Sequence, residues 1–565
     1  MLIDARTLPK GGTIDTEVCI VGTGPAGLTL AHEFIEQDFR VCLLESGGLE
    51  PDEETQSLCV GETVGDTYSE LDILRRRQCG GTANDWTVQI APGQAGVRYG
   101  QLDEVDFEKR DWLPYSGWPF DLSYLEPFYE RAQSICQAGP FAYDADAWED
   151  AQTPQLPFIG NRVKTTMFQF GPSAAFYQEH RDQASQASNI TIYLNANVVE
   201  LETDETAKTV TRVRVACLSG NEFWVYAKIV ILATGGIENA RLLLLSNQTQ
   251  KTGLGNQNDL VGRFFMDHPL VRTGEFIPSN RNIFNSTALY DRRRVNNTPV
   301  MGKLALTNEV MRDEQVLNMS AMLYPRYPHN QPEAVRSLKK LLKSLGRAKL
   351  PEDALKHFRN VSTGVGDIVA AAYTELLVKP FRPDIPGDLP RGGWSEWENK
   401  ERKFGYFEVY SQTEQAPDPD NRVMLSDQLD RLGCPKVKLH WRWREIDTYN
   451  VKRAQQILAE EIARSELGQL QIDRDGEKPF LLTPTTHHHI GTTRMHTDPK
   501  QGVVDENCQV HGVSNVFIAG SSVFPTGGYG NPTLTIVALA VRLADQVKQT
   551  MALSRITVSK TQADF

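Results

Sequence analysis

EVCIVGTGPAGLTLAHEFIEQDFRVCLLES, residues 17–46, decides the fold. Glu17 to Val21 is an apolar run that stops at Gly22. Pro25 to Gln37 reads as a helix with proline in its first turn, where the missing N–H costs nothing. Arg40 to Ser46 reads as a second buried strand, so the segment is a β-α-β unit opening a parallel sheet. Between strand and helix stands Gly22-Thr23-Gly24-Pro25-Ala26-Gly27, a G-x-G-x-x-G motif. Gly22 permits the tight turn, Gly24 lets backbone approach a pyrophosphate, and Gly27 lets helix and sheet pack closely. The helix N-terminus offers unpaired N–H groups and a favourable dipole to phosphates. Glu45, at the end of the second strand, is placed to accept hydrogen bonds from an adenosine ribose. The motif alone leaves FAD and NAD both open.

Working outward, Ile229 to Ala233 repeats the strand pattern, followed by Thr234-Gly235-Gly236 and a helix from about Ile237 to Leu245. Val516 to Ala519 repeats it again, followed by Gly520 and a helix beginning near Pro532. Alternating stretches such as Tyr406 to Tyr410 and Val437 to Trp443 lie between. A nucleotide lobe built from separated segments, with a second lobe inserted, follows. The 565 residues suffice for two lobes, with 40% apolar and 23% charged residues. A net charge of -13 excludes nucleic acid as a partner, since phosphate binding needs a basic footprint. Eight scattered cysteines with no C-x-x-C pair read as reduced and structural, not as metal ligands. Met1 to Gly12 has no apolar core, and no run approaches 18 apolar residues, so a cytoplasmic chain without membrane contact is expected. Residues 331–349 interleave Arg336, Lys339, Lys340, Lys343, Arg347 and Lys349 with Leu338, Leu341, Leu342 and Leu345. This spacing predicts an amphipathic basic helix facing water. The tail after Arg555 is polar and expected to be loose.

Further segments carry a resemblance. They are Arg77-Gln78-Cys79-Gly80-Gly81-Thr82-Ala83-Asn84-Asp85-Trp86, ATGG-IENARLLL from Ala233, VGRFFMDHP at 261–269, EQAPDPDNRV at 414–423, H-x-x-G-T-x-R-M ending at Met495, and NPTLT from Asn531. With the N-terminal glycine motif they form seven ordered motifs. The chain resembles the glucose-methanol-choline (GMC) oxidoreductases over nearly its full length, and is most similar to pyranose-oxidase-like bacterial members. The resemblance implies an α/β fold: a discontinuous Rossmann-like FAD-binding domain at 1–90, 185–270 and 485–553. An α+β, sheet-based substrate domain occupies 91–184 and 271–484, and 554–565 is a C-terminal tail. It implies FAD contacts at Gly22, Gly24, Pro25, Ala26, Gly27, Glu45, Ser46, Arg77, Gly80, Gly81, Thr82, Asn84 and Trp86. Further contacts are implied at Val199, Ala233, Thr234, Gly235, Gly520, Ser521, Asn531, Pro532 and Thr533. Some members link FAD to a histidine in or near the glycine loop. Here none occurs between His32 and His180, and Asp85 precedes Trp86 at that place, so a non-covalent FAD is expected.

Alcohol oxidation removes a hydroxyl proton and a hydride from one carbon. Flavin can take the hydride, and histidine has the right ordinary pKa to take the proton. In the family's H-x-x-G-T pattern the base lies three residues before the glycine, which is His488 before Gly491. If the segment is extended, His487 and His489 point the other way and pack, and the three cannot face one metal. The family's second catalytic position falls on Asn531, whose amide can hold the substrate oxygen; an N-cap for the helix at Pro532 is the alternative. Arg494 and His268 read as structural, and Glu414 and Arg422 as an ion pair or loop anchors. The resemblance implies FAD-dependent oxidation of a CH–OH group, with a sugar, cyclitol or other secondary alcohol as substrate and oxygen or another electron acceptor. The alternatives are a flavin-dependent lyase or photodecarboxylase of the same fold, a binding protein, or an NAD-linked dehydrogenase. The oligomeric state stays open.

Overall fold

Val18–Val21, Val41–Leu44 and Ile229–Leu232 are each buried at all four positions. Strands apolar on both faces need cover on both faces, which is the situation of a parallel sheet. In the computed structural model, which describes residues 1–328, 333–345, 351, 353–366, 368–369 and 392–563, these strands form the centre of a six-stranded sheet. Its order is Leu2–Asp4, Ile190–Leu194, Val41–Leu44, Val18–Val21, Ile229–Leu232, Val516–Ile518, and every neighbouring pair is parallel. The first helix, Pro25–Glu33, is shorter than the sequence predicted, because the chain turns at Glu36 with a left-handed φ of +62°. A four-stranded sheet of Asn197–Thr203, Val210–Ala216, Glu222–Tyr226 and Gly12–Asp15 flanks this core.

An eleven-stranded sheet forms the second lobe, its spine drawn from segments between Val88 and Thr483. Tyr406–Thr413 lies within it, antiparallel to both Leu270–Pro278 and Met319–Arg326. A small third sheet crosses the expected boundary: Glu62–Gly65 pairs with Pro435–Trp441, which pairs with Arg422–Leu429. Val423, Val437, Leu439 and Trp441 pack in the same apolar cluster as the parallel sheet. The segment expected to lie wholly in the substrate domain thus packs against the parallel sheet and pairs with a strand from the N-terminal part.

The C-terminal helix is Thr533–Ala563, and Leu534, Val537, Ala538 and Val541 are fully buried. It runs through the segment expected as a loose tail, since no glycine or proline interrupts it. The basic helix is present as Glu333–Leu345, with Lys339 and Lys340 exposed; Arg347 and Lys349 lie outside the described residues. Leu341 is buried but Leu342 is 58% exposed. One residue further turns a helix by about 100°, so the two leucines cannot share a face. None of the eight cysteines is paired, and seven are buried. Among the described residues no helix is long and apolar enough to cross a membrane.

Candidate active site

Gly22 ends the first central strand with a φ of +99°, and a Cβ there would lie 2.6 Å from the Ala233 carbonyl oxygen. At Gly27 a Cβ would lie 2.0 Å from the Gly22 carbonyl oxygen, so helix and turn touch through bare backbone. Gly24 is different. Its backbone is extended, and a Cβ would meet no protein atom within 4 Å. Gly235 is equally open. Both line a cleft of about 470 Å³, within the range of small-molecule sites. A side chain at either glycine would occupy the cleft itself, at the N-terminal ends of the Pro25 and Gly235 helices. That cradle fits the phosphates of a dinucleotide.

The cleft is also lined by Gly22, Pro25, Ala26, Glu45, Ser46, Arg77, Gly81, Thr82, Trp86, Val199, Ala233 and Thr234, and by Gly520, Ser521, Asn531, Pro532 and Thr533. Three expected contacts stand behind the wall. Gly27 carries the helix packing, Gly80 passes under Tyr177, and the Asn84 amide donates to the Cys79 and Gly81 carbonyls at 3.0 and 2.8 Å, shaping the loop. Glu45 accepts from the Thr23 N–H and hydroxyl at 3.0 and 2.6 Å, and from the Ser46 hydroxyl and Gly47 N–H at 3.1 and 2.9 Å. A ribose would therefore replace one of the two hydroxyls. Arg77 pairs with Glu238 at 2.9 Å, and Arg75 and Arg241 share that carboxylate. Burial opposes ionisation of Glu238, but the three guanidiniums hold it at about 2.

The histidine triplet is not a strand. His487 has a φ of +64°, and the triplet is held as a loop by Asp267, which is fully buried. Asp267 accepts from the Tyr68 hydroxyl at 2.6 Å, the Thr485 hydroxyl at 2.5 Å, and the backbone N–H groups of His268, Thr486 and His488 at 2.7, 3.1 and 3.1 Å. The alternation argument therefore fails, although the three rings do separate. His487 is exposed, His488 is partly open to the cleft, and His489 is buried against Phe265.

His488 Nε2 accepts from the Asn531 amide at 3.0 Å. Its Nδ1 faces His268 Nδ1 at 3.0 Å and the Thr486 hydroxyl at 2.9 Å. Burial, with His268 and Arg98 beside it, holds the His488 imidazole well below its ordinary value, so it is neutral and able to accept a proton. Burial likewise lowers His268 and His489 to about 4. Asn531 does not spend its side chain on capping the last helix: Oδ1 accepts from Arg98 Nε at 2.8 Å while Nδ2 faces His488. His268, expected to order a loop, touches the candidate base. Glu414 and Arg422 do not pair with each other. Glu414 takes a bidentate pair from Arg110 at 2.8 and 3.1 Å, and Arg422 binds Asp259 at 3.0 Å. Arg494 is buried, donates to the Tyr115 carbonyl at 2.6 Å and lies over the Phe264 ring, a structural role as expected. Arg98 and Gln412 are the functional candidates that sequence reasoning missed, since their partners lie hundreds of residues away and no local pattern marks them; His268 stands in the VGRFFMDHP motif but reads there as structural only.

The family model for GMC oxidoreductases matches residues 417–540. The large subunit of fructose dehydrogenase from Gluconobacter japonicus is 27% identical over 95% of this chain and 98% of its own. A C-glycoside 3-oxidase from Arthrobacter globiformis is 39% identical over 133 residues, 23% of this chain and 24% of that one. Among solved structures, a variant of Aspergillus oryzae formate oxidase superposes with a TM-score of 0.51 at 16% identity, covering 96% of this chain and 99% of that one, which speaks for the fold. With the glycine cradle, the parallel sheet and the His488–Asn531 pair in one cleft, the chain is similar over nearly its full length to GMC oxidoreductases, FAD-binding enzymes that act on CH–OH groups, and matches their family model at its C-terminal part.

Proposed function

We propose that this enzyme oxidises a secondary alcohol of a sugar, cyclitol or similar polyol to a ketone, with His488 as the base. The observation that carries the reading is the 3.0 Å contact of Asn531 Nδ2 with His488 Nε2 at the wall of the cleft. A hydroxyl oxygen arriving there meets one donor and one acceptor together. His488, kept neutral, takes the hydroxyl proton at Nε2. The Asn531 amide then donates to the oxygen as negative charge develops on it. FAD, when bound, supplies the hydride acceptor. Gly24 and Gly235 would leave room for it, and the helix N-termini at Pro25 and Gly235 would receive its phosphates. The relatives named for fructose and C-glycoside substrates support the polyol class.

The reading includes a non-covalent cofactor, supported by the absence of histidine from the glycine loop, where Asp85 instead pairs with Arg76 at 3.0 and 3.1 Å. Acid precipitation should release intact FAD into the supernatant; flavin left in the pellet contradicts it. The function is tested by mixing sugars, cyclitols and simple alcohols with the enzyme without oxygen. A polyol should bleach the flavin band. If a compound is converted while the band stays, the lyase alternative replaces oxidation.

A further inference from the structure

Arg98 lies in the Gln94–Tyr99 strand, is 6% exposed, and lines the cleft beside the candidate base. Among the described residues it has no carboxylate partner. Its Nε donates to Asn531 Oδ1 at 2.8 Å, one Nη donates to Gln412 Oε1 at 2.5 Å, and the other lies 3.2 Å from the Met322 sulfur. The Phe168 ring lies 4.5 Å from the guanidinium carbon. Burying a cation without a counter-charge is costly, so the position calls for a reason other than stability.

The reason lies in the direction of its bonds. Guanidinium donates only, whereas an amide can present either end. Arg98 therefore obliges Asn531 to offer Oδ1 to it and Nδ2 to His488. Gln412 is fixed twice over, because its Nε2 donates to the Tyr529 carbonyl at 2.6 Å while Oε1 accepts from Arg98. With an amide N–H aimed at it, His488 Nε2 must carry the lone pair. The proton then sits on Nδ1, where His268 Nδ1 and the Thr486 oxygen can accept it. Thr486 is free to accept, because its own hydroxyl donates to the His268 carbonyl at 2.8 Å.

We infer that Arg98 is the positioning residue of this site: a donor-only side chain that sets the orientation of the Asn531 amide and, through it, the tautomer in which His488 stands ready as a base. The inference rests on His488 being the base. Electrostatics agree with it. His488 is faced by His268, Arg98, His487 and His489, and Asp267, which binds the His488 N–H, is spent on backbone N–H groups and hydroxyls with His489 Nε2 3.9 Å away. Burial lowers Arg98 to about 10, so it remains charged at neutral pH and helps keep His488 unprotonated.

The test uses FAD-loaded enzyme with 15N-labelled histidine, the His488 resonances being assigned by their loss in His488→Ala. In the unaltered enzyme they should report one neutral tautomer, protonated at Nδ1. Arg98→Lys keeps a donor-only cation and should keep that tautomer. Arg98→Gln and Arg98→Met remove the constraint and should give mixed tautomers or a protonated ring near neutrality. Anaerobic flavin reduction by D-fructose provides a second reading. Arg98→Gln and Arg98→Met should slow it on the order of 10²-fold and move the acid limb of its pH profile upward, while Arg98→Lys stays within about tenfold. If Arg98→Gln or Arg98→Met retains the single Nδ1-protonated form, the inference is overturned, whatever the rate. A normal rate in His488→Ala would instead overturn the base assignment, which keeps the two failures apart.

Discussion

A side chain at Gly24 would enter the cleft without touching protein, whereas one at Gly27 would strike the Gly22 carbonyl. The two glycines of one motif therefore fail in different ways. Gly24→Val should give folded protein with little flavin, read as a collapsed ratio of absorbance at 450 nm to that at 280 nm with an unchanged circular dichroism spectrum. Gly27→Val should fail to accumulate as folded protein. Normal FAD content in Gly24→Val would mean the cradle has been misassigned. These roles were legible because they depend on neighbours within one turn of chain. His488 came to notice through the family's H-x-x-G-T pattern, and it lies beside Asn531 at the cleft. What misled at this scale was the assumption of an extended triplet, since His487 takes a left-handed φ within a loop whose Thr486 and His488 N–H groups bind Asp267, far away in sequence. Arg98 stayed hidden, and His268 reads in the sequence as structural only, for the same reason: Arg98 meets Asn531 across 433 positions and His268 meets His488 across 220.

Element positions followed from apolar runs, and four strands of the parallel sheet were found to within a residue or two. Their ends, and the division between lobes, depend on contacts that no run encodes. The EQAPDPDNRV segment shows this. It leaves the Tyr406–Thr413 strand and enters Arg422–Leu429, which joins the small sheet shared by both lobes. Glu414, at its start, is 1% exposed, and its carboxylate takes both Arg110 contacts and the Asn318 N–H at 3.1 Å. Truncating one partner leaves the Arg110 charge buried and unpaired. Glu414→Ala should therefore cost about 3–5 kcal/mol, measured by urea unfolding. A loss below about 1 kcal/mol, the scale of an exposed pair, would show that this junction is not held by the ion pair.

At the scale of the whole molecule, the cleft beside the candidate base is backed by two buried histidines, His268 and His489. That arrangement has a stability signature. Burial holds His268 and His489 at about 4 against an ordinary value of 6.5. As pH falls below about 6.5 the unfolded chain takes up these protons first, so stability is lost toward pH 4 and is fully present above 6.5. The scale is roughly 2–3 kcal/mol for each histidine. Asp447 and Asp291, raised by burial to about 7 and about 6, act in the opposite sense, so the measurable quantity is a difference. His489→Gln should show a smaller fall in melting temperature between pH 7 and pH 4.5 than the unaltered enzyme. Equal falls would mean His489 is not held neutral. The central claim, that one histidine of the three takes the proton, is tested most directly by stopped-flow anaerobic flavin reduction with saturating polyol, so that the electron acceptor plays no part. His488→Ala should be slower by roughly 10²- to 10⁴-fold with FAD retained, and Asn531→Ala by on the order of 10²- to 10³-fold, while His487→Ala stays near the unaltered rate. A His488→Ala enzyme that reduces its flavin at the normal rate, or a His489→Ala enzyme much slower than it, contradicts the account.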